Sequence, residues 1–179
     1  MTARTLAATI AIDEATRFVK GELAELCEAA EAAIRAGGGF GWLAPPPRQV
    51  MESYWKGVLL VPERRLFLGR LDGVVAASAQ LLRPSRQNEI QAHAATLTTH
   101  FVAPWARGHG LARELVVTVC AAARAEGFRL LNLDVRETQT AAIAHYESLG
   151  FVHWGTHPLY AMVDGAPVVG RYYYKRLDQ

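Results

Sequence analysis

A chain of 179 residues, 51% of them apolar, with a formal net charge of +2 can bury a core of its own without disulfides or a metal. It has neither the Lys/Arg run nor the basic stripe interleaved with aromatics that would point to nucleic acid, so a small anionic ligand fits better. The two cysteines, Cys27 and Cys120, form no CxxC and fall in alanine-rich helical stretches, which implies buried thiols, a reducing compartment and a cytoplasmic protein.

The apolar run Leu6 to Ile12 is followed directly by Asp13 and Glu14 and has no cleavage pattern, so it resembles a first strand, not a secretory leader; no membrane span is expected. Leu23, Leu26, Cys27, Ala30 and Ile34 then recur at helical spacing, with Glu22, Glu25, Glu28 and Glu31 on the other side. The glycines at 37–39 end this helix. A loop from Phe40 to Pro47 carries Trp42, and Pro47 opens a second helix to about residue 60, with Val50, Tyr54 and Val58 on one side. Leu66-Phe67-Leu68 and Val74 to Ala77 flank Asp72-Gly73, which predicts a hairpin. Its second arm closes at Leu81-Leu82, and Arg83 to Asn88 reads as a turn. The run from Glu89 to Val102 reads as one strand ended by Pro104.

Arg107-Gly108-His109-Gly110-Leu111-Ala112 follows, at the turn from that strand into a helix. Glycine lets backbone N–H groups approach a ligand, the first helical amides have no internal acceptor, and the positive end of the helix dipole favours an anion there. A phosphate or pyrophosphate site is expected, with Arg107 beside it. The helix, 108 to 126, places Leu111, Leu115, Val119 and Ala122 on one face and stops at Gly127. Leu130 to Val135 is a strand, Thr138 a helix cap, Ala141 to Leu149 a short helix and Gly150 its end. Phe151 to Trp154 and Val168 to Lys175 read as two strands joined by a loop containing Pro158 and Asp164-Gly165. With no internal repeat or linker, one domain is expected, in the order β, α, α, β, β, β, α, β, α, β, β.

This order, with Phe101-Val102-Ala103-Pro104-Trp105-Ala106 leading into the glycine hexapeptide, resembles the GNAT superfamily of acetyl-CoA-dependent N-acetyltransferases. The second motif is Leu133-Asp134-Val135-Arg136 followed by Ala141 to Phe151, whose Tyr-Glu-Ser-Leu-Gly-Phe string is the more specific part. In this part the likeness is to bacterial enzymes that acetylate the N-terminus of a ribosomal protein; helix, hairpin and cofactor motif together also resemble the tabtoxin-resistance type. The motif-bearing resemblance runs from about Thr96 to Phe151. It implies a single-domain α/β fold with a central mixed, mostly antiparallel sheet flanked by about four helices. It implies acetyl-CoA as cosubstrate, without metal, held by Phe101, Val102, Arg107, Gly108, His109, Gly110, Leu111, Ala112, Tyr146 and Gln139, the last standing where the family has asparagine. A homodimer through the carboxyl-terminal strands, with Tyr172, Tyr173 and Tyr174, is also suggested.

Attack by an amine on a thioester needs a proton acceptor for the ammonium and a donor for the departing thiolate. Tyr146 matches the family tyrosine near the coenzyme sulfur; its bland alternative is a core tyrosine at helical spacing with Ile143 and Leu149. Asp134 occupies the strand position of a glutamate in the related N-terminal acetyltransferases, one methylene shorter, and is the candidate base; it could equally pair with Arg136 or Arg129. Thr96 stands at the position of another family glutamate and cannot serve as a base. His100, with the strand parity of Thr96 and Thr98, is the second candidate, and His93 has the opposite parity. His109, His145, His153 and His157 show no ligand spacing and read as surface or loop residues. Trp42, Tyr54, Trp55, Trp154, Tyr160 and Tyr172 could wall a pocket for a small amphipathic amine. Neither cysteine suggests an acyl-enzyme, so direct transfer is expected. The rival reading is a catalytically silent acyl-CoA-binding sensor, for which Thr96 and Gln139 speak. A generic nucleotide-phosphate protein is weakened by the lack of a Walker lysine or a dinucleotide fingerprint.

Overall fold

The computed structural model describes residues 8–38 and 40–178. Its elements, in chain order, are β1 (Ile10–Ala15), α1 (Glu22–Arg35), α2 (Arg48–Leu60), β2 (Arg64–Leu71), β3 (Val74–Leu82), β4 (Ala94–Val102), α3 (Leu111–Ala125), β5 (Leu130–Arg136), α4 (Thr140–Ser148), β6 (Val152–Val163) and β7 (Ala166–Arg176). The seven strands form one sheet in the order β1-β2-β3-β4-β5-β7-β6. Only β4 and β5 run parallel; every other neighbouring pair is antiparallel.

The centre of the sheet, β2, β3 and the far end of β4, is covered on both faces by two separate apolar cores. On one face α1 and α2 supply Leu26, Ala30, Ile34, Met51 and Trp55 against Leu66, Leu68, Val75 and Phe101. On the other, α3 and α4 supply Leu111, Leu115, Val119, Ile143 and Tyr146 against Phe67, Ala77, Leu97, Leu131 and Leu133. Strands covered on both faces lose the apolar and polar alternation of a half-exposed sheet, as the nearly continuous burial of β3 shows. Gly69 sets the approach of α3: a Cβ there would lie 3.0 Å from Ala77 Cβ, 3.2 Å from Leu111 Cδ2 and 3.3 Å from Leu115 Cδ1. Its absence seats the first turns of α3 directly on β2.

Several boundaries differ from expectation. The first strand is Ile10–Ala15, and Leu6 and Ala7 of the expected run lie outside the described residues, as does Gly39 of the glycine triplet. The strand expected from Glu89 starts at Ala94, because Glu89–Gln91 forms a 3-10 turn closed by the Asn88 and Glu89 carbonyls. α3 begins at Leu111, after Gly108 and Gly110 take positive φ. Gln139 precedes α4 in the position expected of Thr138, and no side chain caps the helix. β6 runs through Pro158 to Val163, leaving only Asp164-Gly165 as the turn into β7. Proline is tolerated there because β6 is the edge strand and its ladder with β7 is broken between His157 and Ala161. No helix among the described residues is long and apolar enough to cross a membrane.

Candidate active site

The site begins where two parallel strands part. β4 and β5 are paired only over Ala94–Thr96 and Leu130–Asn132, so the far half of β4 has one edge bonded to β3 and the other open. Side-chain direction also changes there. Thr99 has φ of +52°, and the β3–β4 register shifts between Ser78 and Gln80. This is a β-bulge, and it inverts the alternation of the residues that follow. Leu97 therefore faces the α3 core while Phe101, four residues on, faces the α1/α2 core. The expected common parity of His100 with Thr96 and Thr98 is corrected by the same bulge: His100 faces the α3/α4 side. Polar groups brace the bulge from the other side, since the Tyr54 hydroxyl lies 3.3 Å from Thr99 Oγ1 and accepts from the Gln80 amide, which in turn accepts from Arg64.

On the α3/α4 side the Tyr146 hydroxyl meets His100 Nδ1 at 2.8 Å. Tyr146 is buried, and its pKa is pushed well above the ordinary tyrosine value, first by burial and then by the Asp134 charge. A tyrosine on α4 thus touches β4 beyond the point where β4 and β5 part. Burial pulls the His100 pKa down to about 3, with His145 adding repulsion. His145, expected at the surface, instead lies with its ring 6.1 Å from His100, half-buried, its own pKa lowered by burial. The Nε2 atoms of both rings are buried without a hydrogen-bond partner. Sequence reasoning missed His145 because α4 carries almost no polar and apolar contrast; the signal was its place directly before Tyr146.

Next to these rings, a cavity of about 220 Å³ is lined by Val102, Ala106, Arg107, Gly108, Gly110, Leu111, Ala112, Arg113 and His145. Gly110, at φ +88°, precedes α3 without a capping side chain, and the helix ladder starts only with Glu114 N–H to the Gly110 carbonyl. The amides of Leu111, Ala112 and Arg113 are therefore donors without a helical acceptor, flanked by two guanidinium groups. Such a set of donors and positive charge can hold an anion of the phosphate type. Of the residues expected to hold such a group, Val102, Arg107, Gly108, Gly110, Leu111 and Ala112 line the cavity. His109 is exposed beside it. Phe101 is committed elsewhere, stacked on Phe40 at 5.0 Å in the opposite core. Gln139 donates to the Gly37 carbonyl at 2.7 Å, as Arg136 does at 2.8 Å, tying the start of α4 to the end of α1.

On the other side of the gap, Leu130, Asn132 and Asp134 share the face of β5 opposite the buried Leu131 and Leu133. Asp134 pairs with neither Arg136 nor Arg129; it accepts a hydrogen bond from the Tyr160 hydroxyl. Tyr172 is the register partner of Asp134 on β7, and the Trp154 and Tyr172 rings lie 5.7 Å apart. Beyond them a groove of about 630 Å³ runs past Leu130, Asn132, Trp154 and Tyr174 to Arg129, Arg176 and Asp178. The expected aromatic wall thus divides in two. Trp154, Tyr160 and Tyr172 stand at the open face, whereas Trp55 is fully buried in a cluster with Phe40, Tyr54 and Phe101.

A family model described as Acetyltransferase (GNAT) family matches residues 24–151. An uncharacterized N-acetyltransferase from the hisH-hisA intergenic region of Azospirillum brasilense is 66% identical over 130 residues, 73% of this chain and 77% of that protein. Among solved structures, an N-acetyltransferase from Staphylococcus aureus Mu50 superposes with a TM-score of 0.79 at 19% identity, covering 95% of this chain and 99% of its own. The structure of yncA from Salmonella typhimurium with its cofactor acetyl-CoA gives 0.76 at 19% identity, covering 96% and 95%. At that identity the two structures bear on the fold alone.

Proposed function

We propose, from the premise that this chain belongs to the GNAT family of acetyltransferases, that it moves acetyl from acetyl-CoA directly to the primary amine of a small molecule, with Tyr146 as proton donor and Asp134 as proton acceptor. The observation that carries this reading is the position of Tyr146. It is a buried hydroxyl bonded to His100 on the part of β4 that has left β5, its pKa is raised by burial and by the Asp134 charge, and its chain neighbour His145 lines the amide-bearing cavity.

The residues present fit acetyl-CoA. The Leu111, Ala112 and Arg113 amides, with Arg107, suit its pyrophosphate, and the open edge of β4 beyond Thr96 offers backbone groups to its pantetheine amides. When bound, acetyl-CoA supplies a thioester carbonyl and a thiolate leaving group. Tyr146 and Asp134 then divide the proton work across the sheet: the tyrosine belongs to the α3/α4 core, the carboxylate to the opposite face. The raised pKa keeps Tyr146 protonated at neutral pH, so it has a proton to give. Asp134, exposed on β5, can take one from an arriving ammonium. His100, neutral down to about pH 3, takes up no proton at working pH and is instead the hydrogen-bond partner of the Tyr146 hydroxyl.

The groove supports a small amphipathic acceptor. Its volume suits a ligand of drug size, Trp154 and Tyr174 stand with Leu130 in its wall beside the polar His93 and Asn132, and Arg129 and Arg176 are both engaged by Asp178, which leaves little free positive charge for a polyanion. The test follows free thiol released from acetyl-CoA by the purified protein against amines, amino acids, aminoglycosides and N-terminal peptides, with Tyr146→Phe alongside. Turnover of one small-amine class that collapses in the variant is expected. Exclusive acetylation of peptides would overturn the acceptor class, and tight acetyl-CoA binding without turnover would replace catalysis by a binding role.

A further inference from the structure

Tyr160 lies outside both sequence motifs, yet it bonds the carboxylate assigned as the base. Three features put it there. The β6–β7 ladder is broken between His157 and Ala161, and Pro158 stands inside the break, with the Leu159 N–H donating to His157 Nδ1 at 3.1 Å. Tyr160 is thereby released from regular pairing and lies across β7. The strand beneath it is Gly170, where an added Cβ would overlap the tyrosine ring and lie 2.6 Å from the Tyr160 Cβ. Glycine at 170 is required by this packing alone, because the residue is fully surrounded while its φ lies outside the left-handed region. Beside the ring stands Tyr172, edge-on at 6.1 Å and 86°, itself the register partner of Asp134. From this seat the Tyr160 hydroxyl donates to Asp134 Oδ2.

We propose that Tyr160, seated on Gly170, is a positioning residue for Asp134: its hydroxyl holds Oδ2 and so turns Oδ1 toward the acceptor amine. The inference rests on the reading of Asp134 as the base. An exposed carboxylate on a short arm otherwise rotates freely about its terminal torsion, and a base that must meet one proton gains more from fixed direction than it loses in basicity by accepting a hydrogen bond. Burial and the Asp134 bond raise the tyrosine pKa, so the donor stays protonated throughout the working range. The arrangement also gives a reason for tyrosine over phenylalanine in an edge strand whose other residues are mostly exposed.

The experiment compares wild type with Tyr160→Phe, Gly170→Ala, their double variant and Asp134→Asn, reading thiol release over a panel of primary amines. Tyr160→Phe keeps the ring on Gly170 and removes only the hydroxyl; kcat/KM for the amine is expected to fall about tenfold, with KM for acetyl-CoA unchanged. Gly170→Ala displaces the ring and is expected to give the same split, and the double variant to lose no more than the worse single, since both act through one bond. A second readout needs no turnover: 3-fluorotyrosine at 160 is expected to titrate above free 3-fluorotyrosine by fluorine NMR, and to fall toward it in Asp134→Asn and in Gly170→Ala. Asp134→Asn inactive with Tyr160→Phe at wild-type kinetics overturns the positioning role and leaves Asp134 as base. A fluorine titration indifferent to Asp134→Asn overturns the contact itself. Full activity in Asp134→Asn, or no amine turned over by wild type, removes the reading of the site and this inference with it.

Discussion

His100 Nδ1 and the Tyr146 hydroxyl lie 2.8 Å apart, joining β4 to α4 across the place where β4 has left β5. The bond exists because the bulge at Thr99 rolls His100 to the side of the sheet that carries α4. It ties the Tyr146 hydroxyl, the proposed proton donor, to the scaffold, not to solvent, and makes its surroundings a property of the fold.

Tyr146→Phe keeps the ring packed on Phe151 at 5.7 Å and removes only the hydroxyl. The expected result is a fall in kcat of about 10² or more, the usual contribution of a positioned acid, with KM for acetyl-CoA nearly unchanged. Steady-state thiol release checks it; a loss confined to KM would assign the hydroxyl to binding.

Acid should unfold this protein through its buried imidazoles before its carboxylates titrate. His100 has a folded pKa of about 3 against an ordinary value of 6.5, so below 6.5 the unfolded chain binds a proton that the folded one refuses. Stability is full above pH 6.5 and falls as pH drops, by about 1.4 kcal/mol per pH unit for one such group. His145, lowered in the same direction, adds to the loss. Glu14 and Glu126, held below their ordinary value by Arg65 and Arg83, act with the same sign only further down. Urea unfolding at pH 7.5 and 5.5 measures the slope, and His100→Asn should flatten it.

Gly110→Ala places a Cβ at φ +88° immediately before α3. The left-handed conformation costs an L-residue about 1–2 kcal/mol, and the easiest relief is rotation of the first α3 amides away from the cavity. A lower melting temperature together with weaker acetyl-CoA binding, measured by calorimetry, is expected. Gly37→Ala, also at positive φ but remote from the cavity, should lower the melting temperature alone.

Gly69→Val would push Leu111 and Leu115 off β2, where even one added carbon meets atoms at 3.0–3.3 Å. Overpacking of this kind costs about 1–3 kcal/mol. Because Leu111 is also the first residue of α3, acetyl-CoA binding should weaken more in this variant than in Val58→Ala, which costs comparable core stability on the opposite face. Chemical denaturation and binding isotherms on the two variants check the difference.

Much of this was legible in residue order. Helical spacing marked α1, α2 and α3, the bounding Thr138 and Gly150 marked α4, Asp72-Gly73 and Asp164-Gly165 marked two turns with positive φ, and the element order matches that expected. These signals are local, each resting on the chirality and periodicity of a few consecutive residues. The glycine turn before α3 was legible for the same reason: its positive φ angles and free amides are organised within one turn of helix.

What the residue order left open was every feature that two distant segments decide together. The bulge that moves His100 across the sheet is a mismatch between β3 and β4 around Ser78 to Gln80, and no single strand carries its signature. The burial of His145 depends on β4 packing beneath α4. Asp134 meets Tyr160 only because Gly170, ten residues further on, comes to lie beneath the tyrosine ring. The sequence by itself determined which elements form and where a turn of free helical amides would stand, since backbone torsions and side-chain periodicity act over a few residues. The tertiary structure decided which side chains share the gap between β4 and β5, because face, register and burial are settled only when strands far apart in the chain pair and helices close over them.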